Sequence, residues 1–576
     1  MTRLLKYLRP FRLGIAVVFV LVFLQSLAQL HLPNLMANIV DQGIARENIP
    51  LIWRTGGLML LVALGGSVAA VIAGYLSAKI SAGFGKTLRS KVFAHVEGFS
   101  LREFDKIGTA SLVVRTTNDI TQVQMVSLMF MRMVISAPMM CIGGIIMAVA
   151  QDARLSLILV VVIPFLVAVV LLAATKALPL FRVMQSKLDR LNLVLREALT
   201  GIRVIRAFNR VDYEKQRFSQ ANRDLTGTAV RVHRLMAFMM PFMMLTLNVT
   251  TIAVIWIGGH RIEAGDLEVG AMMAFIQYAM QILMSLLMMS MIFVMLPRAA
   301  VSAERVNEVL ESVPEIKDPA EPRTPAAGVR GSLEFRDVTF SYPGAAEPAL
   351  RNVSFKAEPG EVTAIIGGTG AGKSTLVSLI PRFYDVDRGA VLVDGVDIRD
   401  MTQADLRARI GLVPQKSVLF SGTVADNIRY GKEDAAEHDI RHAAETAQAL
   451  DFIDETKDGF AMPVAQGGTN VSGGQKQRLS IARALVRRPE IYILDDSFSA
   501  LDFRTDARLR AALRHETGDS TVLIVAQRVS TVMDADRIIV LADGRVAGMG
   551  THRELVRTSN VYREIALSQL PEEEIA

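Results

Sequence analysis

"VTAIIGGTGAGKSTLVSLI", residues 362–380, is the stretch on which the reading of this chain turns. Residues 362–366 form an apolar run of strand length, and an apolar run of helix length closes the segment. Between them stand Gly367, Gly368, Thr369, Gly370, Ala371, Gly372, Lys373, Ser374 and Thr375. Glycines at this spacing let successive backbone N–H groups turn toward an anion, and the helix start adds its dipole. Lys373 is then placed to reach the β- and γ-phosphates of a nucleotide, and the Ser374 hydroxyl to ligate Mg²⁺. The strand–loop–helix order is what lifts the pattern above a chance match.

Further along, "IYILDDSFSALD" (491–502) runs from a second apolar strand into two adjacent acids, Asp495 and Asp496. An acid at the end of such a strand can hold Mg²⁺ beside a nucleotide. Hydrolysis also needs a group that orients or deprotonates the attacking water. Whether Asp496 supplies it is the central question about this chain.

N-terminal to the phosphate loop the composition changes. The chain has 576 residues, 51% of them hydrophobic, with a net charge of +6 and a mean hydropathy of +0.34. Six stretches are long and apolar enough to cross about 30 Å of hydrocarbon, near residues 13–36, 56–78, 128–150, 155–175, 235–258 and 270–296. Basic residues precede the first (Arg3, Lys6, Arg9, Arg12) and crowd the two long connections (Lys79, Lys86, Arg89, Lys91; Lys176, Arg182, Lys187, Arg231, Arg234). By the positive-inside rule these segments are cytoplasmic, and the short connections are outside. This charge pattern is a topology signal; it gives no reason to expect nucleic acid as a partner. The first apolar run is too long, and lacks the cleavage site, for a signal peptide, so it reads as a retained span. Cys141 is the single cysteine, which excludes an internal disulfide.

The two long connections carry apolar residues at helical spacing, as expected of pairs of helical arms of about 20 residues reaching about 30 Å past the bilayer. Their tips fall near 101–108 and 206–218. Residues 312–331 gather prolines and charge and read as a linker. From Ser332 the runs shorten and alternate, as in an α/β domain around a mainly parallel sheet. The expected organisation is an α-helical six-span membrane domain with long cytoplasmic extensions (1–311), a linker (312–331) and an α/β phosphate-loop domain (332–570).

"VSGGQKQRLSIARAL" (471–485) resembles the signature sequence of ATP-binding cassette (ABC) proteins, and the order of phosphate loop, "GLVPQ", signature and strand-end acid matches that family. With six spans ahead of it, nearly the whole chain resembles a half-transporter of the exporter type. The resemblance implies ATP and Mg²⁺ as ligands and assigns roles residue by residue. Tyr342 resembles the aromatic that stacks on adenine. Gln415 resembles the glutamine that joins Mg²⁺ to the membrane-domain interface, and Asp495 the Mg²⁺-associated acid. Ser472, Gly473, Gly474 and Gln475 resemble the signature that closes over ATP held by the opposite subunit. Asp502 resembles the loop acid that communicates between sites, and the two connection tips look like coupling helices.

Three positions depart from the pattern. Hydrolytic members usually carry Glu after the Mg²⁺ acid, where this chain has Asp496, shorter by about 1.5 Å. The switch histidine is replaced by Gln527 in "LIVAQRVST", and glutamine cannot become an imidazolium. Gln466 and Gly467 stand where a Glu-Arg pair is usual. The expectation is a degenerate site that holds ATP without cutting it efficiently, in a chain whose signature completes the site of a non-identical partner with the catalytic Glu and His. A slow homodimeric exporter, an ATP-gated regulator and an exporter-fold importer are the alternatives.

The expected partners also include the lipid bilayer and an unidentified hydrophobic or amphipathic substrate. Gln25 and Gln29, and Gln277 and Gln281, are each one helical turn apart, with His31 and Tyr278 nearby. They either line a polar pocket or hold spans together by hydrogen bonds. Arg132 reads as a residue that snorkels to the headgroups, and the methionine-rich sixth span as ordinary packing or an adaptable apolar surface.

Overall fold

The computed structural model describes residues 2–325, 330–571 and 575, so 326–329 of the expected linker lie outside the described residues. The chain divides into two compact units, Met1–Glu97 with Thr109–Ser312, and Gly98–Gly108 with Val313–Ala576.

Five of the six expected spans fall wholly within one helix of the first unit, and the fourth begins two residues before its helix: Arg12–Asn38, Ile49–Val96, Ile120–Gln151, Leu157–Thr200, Val211–Glu263 and Val269–Glu311. Six helices among the described residues are long and apolar enough to cross a membrane. The expected helical arms are continuous with the spans. The second span and its arm form one helix of 48 residues and the fifth span and its arm one of 53, about 72 and 80 Å of continuous backbone. No proline interrupts Ile49–Val96, where Pro50 occupies the first turn; that position needs no donor, so proline there is harmless. The other five span helices each contain proline, at Pro33, Pro138, Pro164 and Pro179, Pro241, and Pro297.

At the outer end, a π-helical turn, Ile39–Ile44, carries the buried Asp41. Its carboxylate accepts the Gly270 N–H (2.6 Å) and the Ala271 N–H (3.0 Å) at the start of the sixth span helix. That helix has no side-chain cap of its own, so Asp41 caps it from a distance and satisfies two otherwise orphaned donors. Asp41→Ala is expected to cost about 2–4 kcal/mol, read as a lower melting temperature of the detergent-solubilised protein. Asp41→Asn, which keeps one carbonyl oxygen, should lose less. Nearby, the buried Tyr278 hydroxyl donates to the Leu30 carbonyl (2.9 Å) and the Gln281 amide to the Gln29 carbonyl (3.4 Å). The interhelical alternative is therefore the arrangement found for Tyr278 and Gln281.

The second unit contains a six-stranded sheet in the order Arg545–Gly550, Arg537–Ala542, Val362–Gly367, Thr521–Val525, Ile491–Asp495, Ile410–Val413. All neighbours are parallel except the first pair. Burial alternates with the pleat, and both faces are covered. Ala364, Ile366, Leu494 and Ile524 join one apolar layer, and Ile365, Ile493, Leu523 and Val525 the other. A separate antiparallel sheet is built on Leu333–Phe340.

Candidate nucleotide site

The strand order decides where the chemistry collects. Thr521–Val525 lies between Val362–Gly367, which leads into the phosphate loop, and Ile491–Asp495, which leads into the paired acids. Their registers put Val525 opposite both Ile365 and Asp495. Three loops therefore leave the carboxyl edge of the sheet side by side, the position at which parallel α/β sheets bind ligands. Gln527, two residues beyond the central strand, stands between the phosphate loop and the acids.

Gly372 has φ +97°, and a Cβ there would lie 2.9 Å from the Ala349 carbonyl oxygen, so only glycine fits this corner. The Lys373 ammonium is buried and donates to the Gly367 (2.7 Å) and Gly368 (2.8 Å) carbonyls. Burial lowers its pKa, opposed by the charges of Asp496 and Asp495. Burial also raises the Asp495 carboxyl, helped by Asp496 and opposed by the Ser374 hydroxyl and Lys373. A buried carboxylate beside a second carboxylate is electrostatically unsatisfied and fits a divalent cation. Asp495, Ser374 and Gln415 would hold Mg²⁺ there, and the ion would neutralise phosphate charge.

Asp496 is held in a left-handed backbone conformation, φ +48°, with its N–H given to the Val525 carbonyl (2.9 Å). Its Oδ2 accepts from two amides, Gln415 Nε2 and Gln527 Nε2, both at 3.4 Å. The two positions at which the sequence departs most from its pattern are thus in direct contact.

Tyr342 is partly exposed and packs edge-on against Tyr384 and Phe340, with its hydroxyl 3.1 Å from Thr375 Oγ1. Ser472 caps the helix Gly473–Leu485: its hydroxyl accepts the Gln475 N–H (3.2 Å) while the Gln475 side chain accepts the Ser472 N–H (2.8 Å). Ser472 and Gly473 are exposed and Gly474 partly so, leaving the helix start open to an incoming anion. Asp502 caps Phe503–Glu516 through the Thr505 N–H (2.9 Å). The Thr505 hydroxyl and N–H together hold its carboxyl below the usual range. Gly467 adopts φ +66°, a conformation that the arginine usual in similar exporters would take only under strain.

Some participants had no sequence signal. Gln477 donates to the Asp496 carbonyl and to Ser499 Oγ, both 3.4 Å, and accepts the Ala500 N–H at 3.1 Å, tying the signature helix to the loop after the acids. Gln569 bridges the Gln527 carbonyl (2.9 Å) and the Val529 N–H (2.8 Å). Tyr384 donates to Asp105 (3.1 Å), in the first connection tip, which belongs to the same compact unit. Burial and the Asp105 charge both push its hydroxyl pKa up. The capping box of Ser100 and Glu103 starts that tip helix, Leu101–Ile107.

Comparison with known proteins matches residues 15–286 to the ABC transporter transmembrane region and residues 350–499 to the ABC transporter family. An uncharacterized ABC transporter ATP-binding protein of Mycobacterium tuberculosis is 46% identical over 98% of this chain and 97% of its own. A fatty acid ABC transporter ATP-binding/permease protein of Mycobacterium bovis is 35% identical over 83% of this chain and 75% of its own. A bacterial Atm1-family ABC exporter solved with ATP bound superposes with a TM-score of 0.80 at 26% identity, covering 98% of this chain and 99% of that one.

Proposed function

Since the chain belongs to the ABC transporter family, we propose that it is the degenerate-site subunit of a heterodimeric exporter. It is an ATP-driven exporter half, multi-pass in the membrane, with a cytoplasmic cassette that couples ATP hydrolysis to transport. In the proposed assembly its own phosphate loop holds ATP while Ser472, Gly473, Gly474 and Gln475 complete a partner's catalytic site. The observation that carries this reading is the Asp496 carboxylate, shared by the Gln415 and Gln527 amides. A general base must reach its water, and one shortened by about 1.5 Å and bound to two donors is poorly placed and poorly basic. Neither amide can take the proton onward. Lys373, Asp495 and the signature remain in place for binding. The fatty-acid transporter among its relatives supports a hydrophobic or amphipathic cargo.

The test is ATPase activity of the purified chain, expected to be negligible, against that of the chain co-expressed with an ABC half-transporter bearing Glu and His at the corresponding positions. Glu→Gln in that partner should abolish turnover, and Asp496→Asn here should change it by less than about threefold. Brisk hydrolysis by the isolated chain, lost in Asp496→Asn, refutes the asymmetric assembly.

A further inference from the structure

Across the six apolar spans read from the sequence, Arg132 is the single Asp, Glu, Lys or Arg residue. An ionised group within a span is kept where it reaches the headgroups or where something uses it. No carboxylate within any span is there to neutralise it. The structure places Arg132 in the wall of a cavity of about 640 Å³, together with Gln25, Gln29, Gln281 and Ser136. The cavity lies among the first, third and sixth span helices, and six methionines, Met133 and Met284 among them, supply most of its apolar lining. Ser136 gives its hydroxyl to the Arg132 carbonyl (2.8 Å), so it does not occupy the guanidinium.

The lining is graded along the membrane normal. Arg132 lies about 29 Å along its helix from the outer end at Gln151, near the cytoplasmic surface of the hydrocarbon. Gln281 lies about 18 Å from the outer start of its helix, near mid-membrane. A cation thus marks the inner end of a long, adaptable, thioether-lined chamber whose upper part carries amides. The volume is that of a small-ligand pocket, mostly apolar with few polar groups to fix orientation.

We propose that this cavity binds an amphiphile with an anionic headgroup, a carboxylate or phosphate, which pairs with Arg132 while its apolar chain lies along the methionines. The inference deepens the exporter reading and rests on it, by naming the charge class of the cargo. A planar guanidinium offers such a headgroup a two-point, charge-assisted hydrogen bond. A cationic amphiphile meets repulsion with no acid in the wall to offset it. A neutral one offers the guanidinium no opposite charge. A small inorganic anion gains nothing from the methionine surface.

Nucleotide-free full-length protein in nanodiscs of zwitterionic lipid is titrated with a dansyl-labelled C11 fatty acid, with its methyl ester, and with the corresponding amine. The carboxylate is expected to bind about tenfold or more tightly than the ester, and the amine weakest of all. Arg132→Gln should erase the carboxylate preference while leaving ester binding in place, which also certifies a folded cavity. Arg132→Lys should keep most of the preference, and Gln281→Leu should weaken all three probes by a few-fold. Equal binding of carboxylate and ester by the wild-type protein overturns the proposal, whatever the variants do, as does a preference that survives in Arg132→Gln. Binding is read without ATP, so loss of selectivity in a protein that still transports refutes this inference alone. Selective binding in a protein that does not transport refutes the exporter reading alone.

Discussion

Asp496→Glu combined with Gln527→His is expected to raise the ATPase rate of the purified chain by about 10- to 100-fold. The gain follows from geometry at one terminal phosphate. Asp496 stands at the carboxyl edge of the sheet with its Oδ2 drawn to two amides, Gln415 and Gln527. Glutamate advances the carboxylate by about one C–C bond toward the water it must orient. Histidine in place of Gln527 removes one of the two donors and supplies a ring that can take and release a proton near neutral pH. Because Ser472 and Gln475 already form an intact capped helix start, two copies of the double variant contain two complete composite sites. Each single substitution should recover only part of the gain, since base and proton acceptor act as a unit. The measurement is phosphate release by the reconstituted chain alone, with cross-linking to establish that copies pair. A variant that pairs and still turns over at the wild-type rate removes the basis for calling this site degenerate.

Asp495→Asn is expected to stabilise the nucleotide-free protein and to weaken Mg²⁺-dependent ATP binding by roughly tenfold or more. Burial, and then the neighbouring Asp496 charge, raise the Asp495 carboxyl above its unfolded value. Between the unfolded and folded values the native state binds more protons, so stability falls as pH rises through that window. At neutral pH the ionised carboxylate carries that penalty, and asparagine removes it. The melting temperature of the variant should therefore exceed that of the wild type at pH 7, and the difference should shrink as pH falls through that window and be gone below the unfolded value. Titration with a fluorescent ATP analogue, with Mg²⁺ or with a chelator, reads the other half. A lower melting temperature, or Mg²⁺ dependence unchanged, contradicts the assignment of Asp495 as a cation ligand poised at the cost of stability.

The six spans were legible because uninterrupted apolar runs of that length have few alternative readings. The phosphate loop was legible because its glycine spacing is a local property. What escaped depends on contacts that the sheet and the bundle assemble from distant segments. Gln415 and Asp496 are separated by 81 positions, and Gln527 and Asp496 by 31; only the strand order brings them to one edge. Gln569 lies in an unremarkable C-terminal segment, yet it holds the backbone of Gln527. Asp41 reads in sequence as one more acid in an outer connection; its role as a cap needs the helix 229 positions away. Arg132 read from the sequence as a headgroup-facing residue; that it also lines a cavity with Gln25 and Gln281 depends on which face of its span meets the neighbouring helices, which a sequence does not say. The arms were anticipated as helices but not as continuations of the spans, since the shift from apolar to charged residues near position 79 looks like a boundary although nothing there breaks a helix.

The proline-free helix Ile49–Val96 makes that last point mechanical. With no ring to open its hydrogen-bond ladder, it runs as one unbroken rod about 72 Å long, without the proline that each of the other five span helices carries. Pivoted at its outer tip, such a rod swings its far end by about 6 Å for a tilt of roughly 5°, more than one helical turn. Angular adjustments too small to disturb side-chain packing at one end thus become displacements large enough to repack contacts at the other.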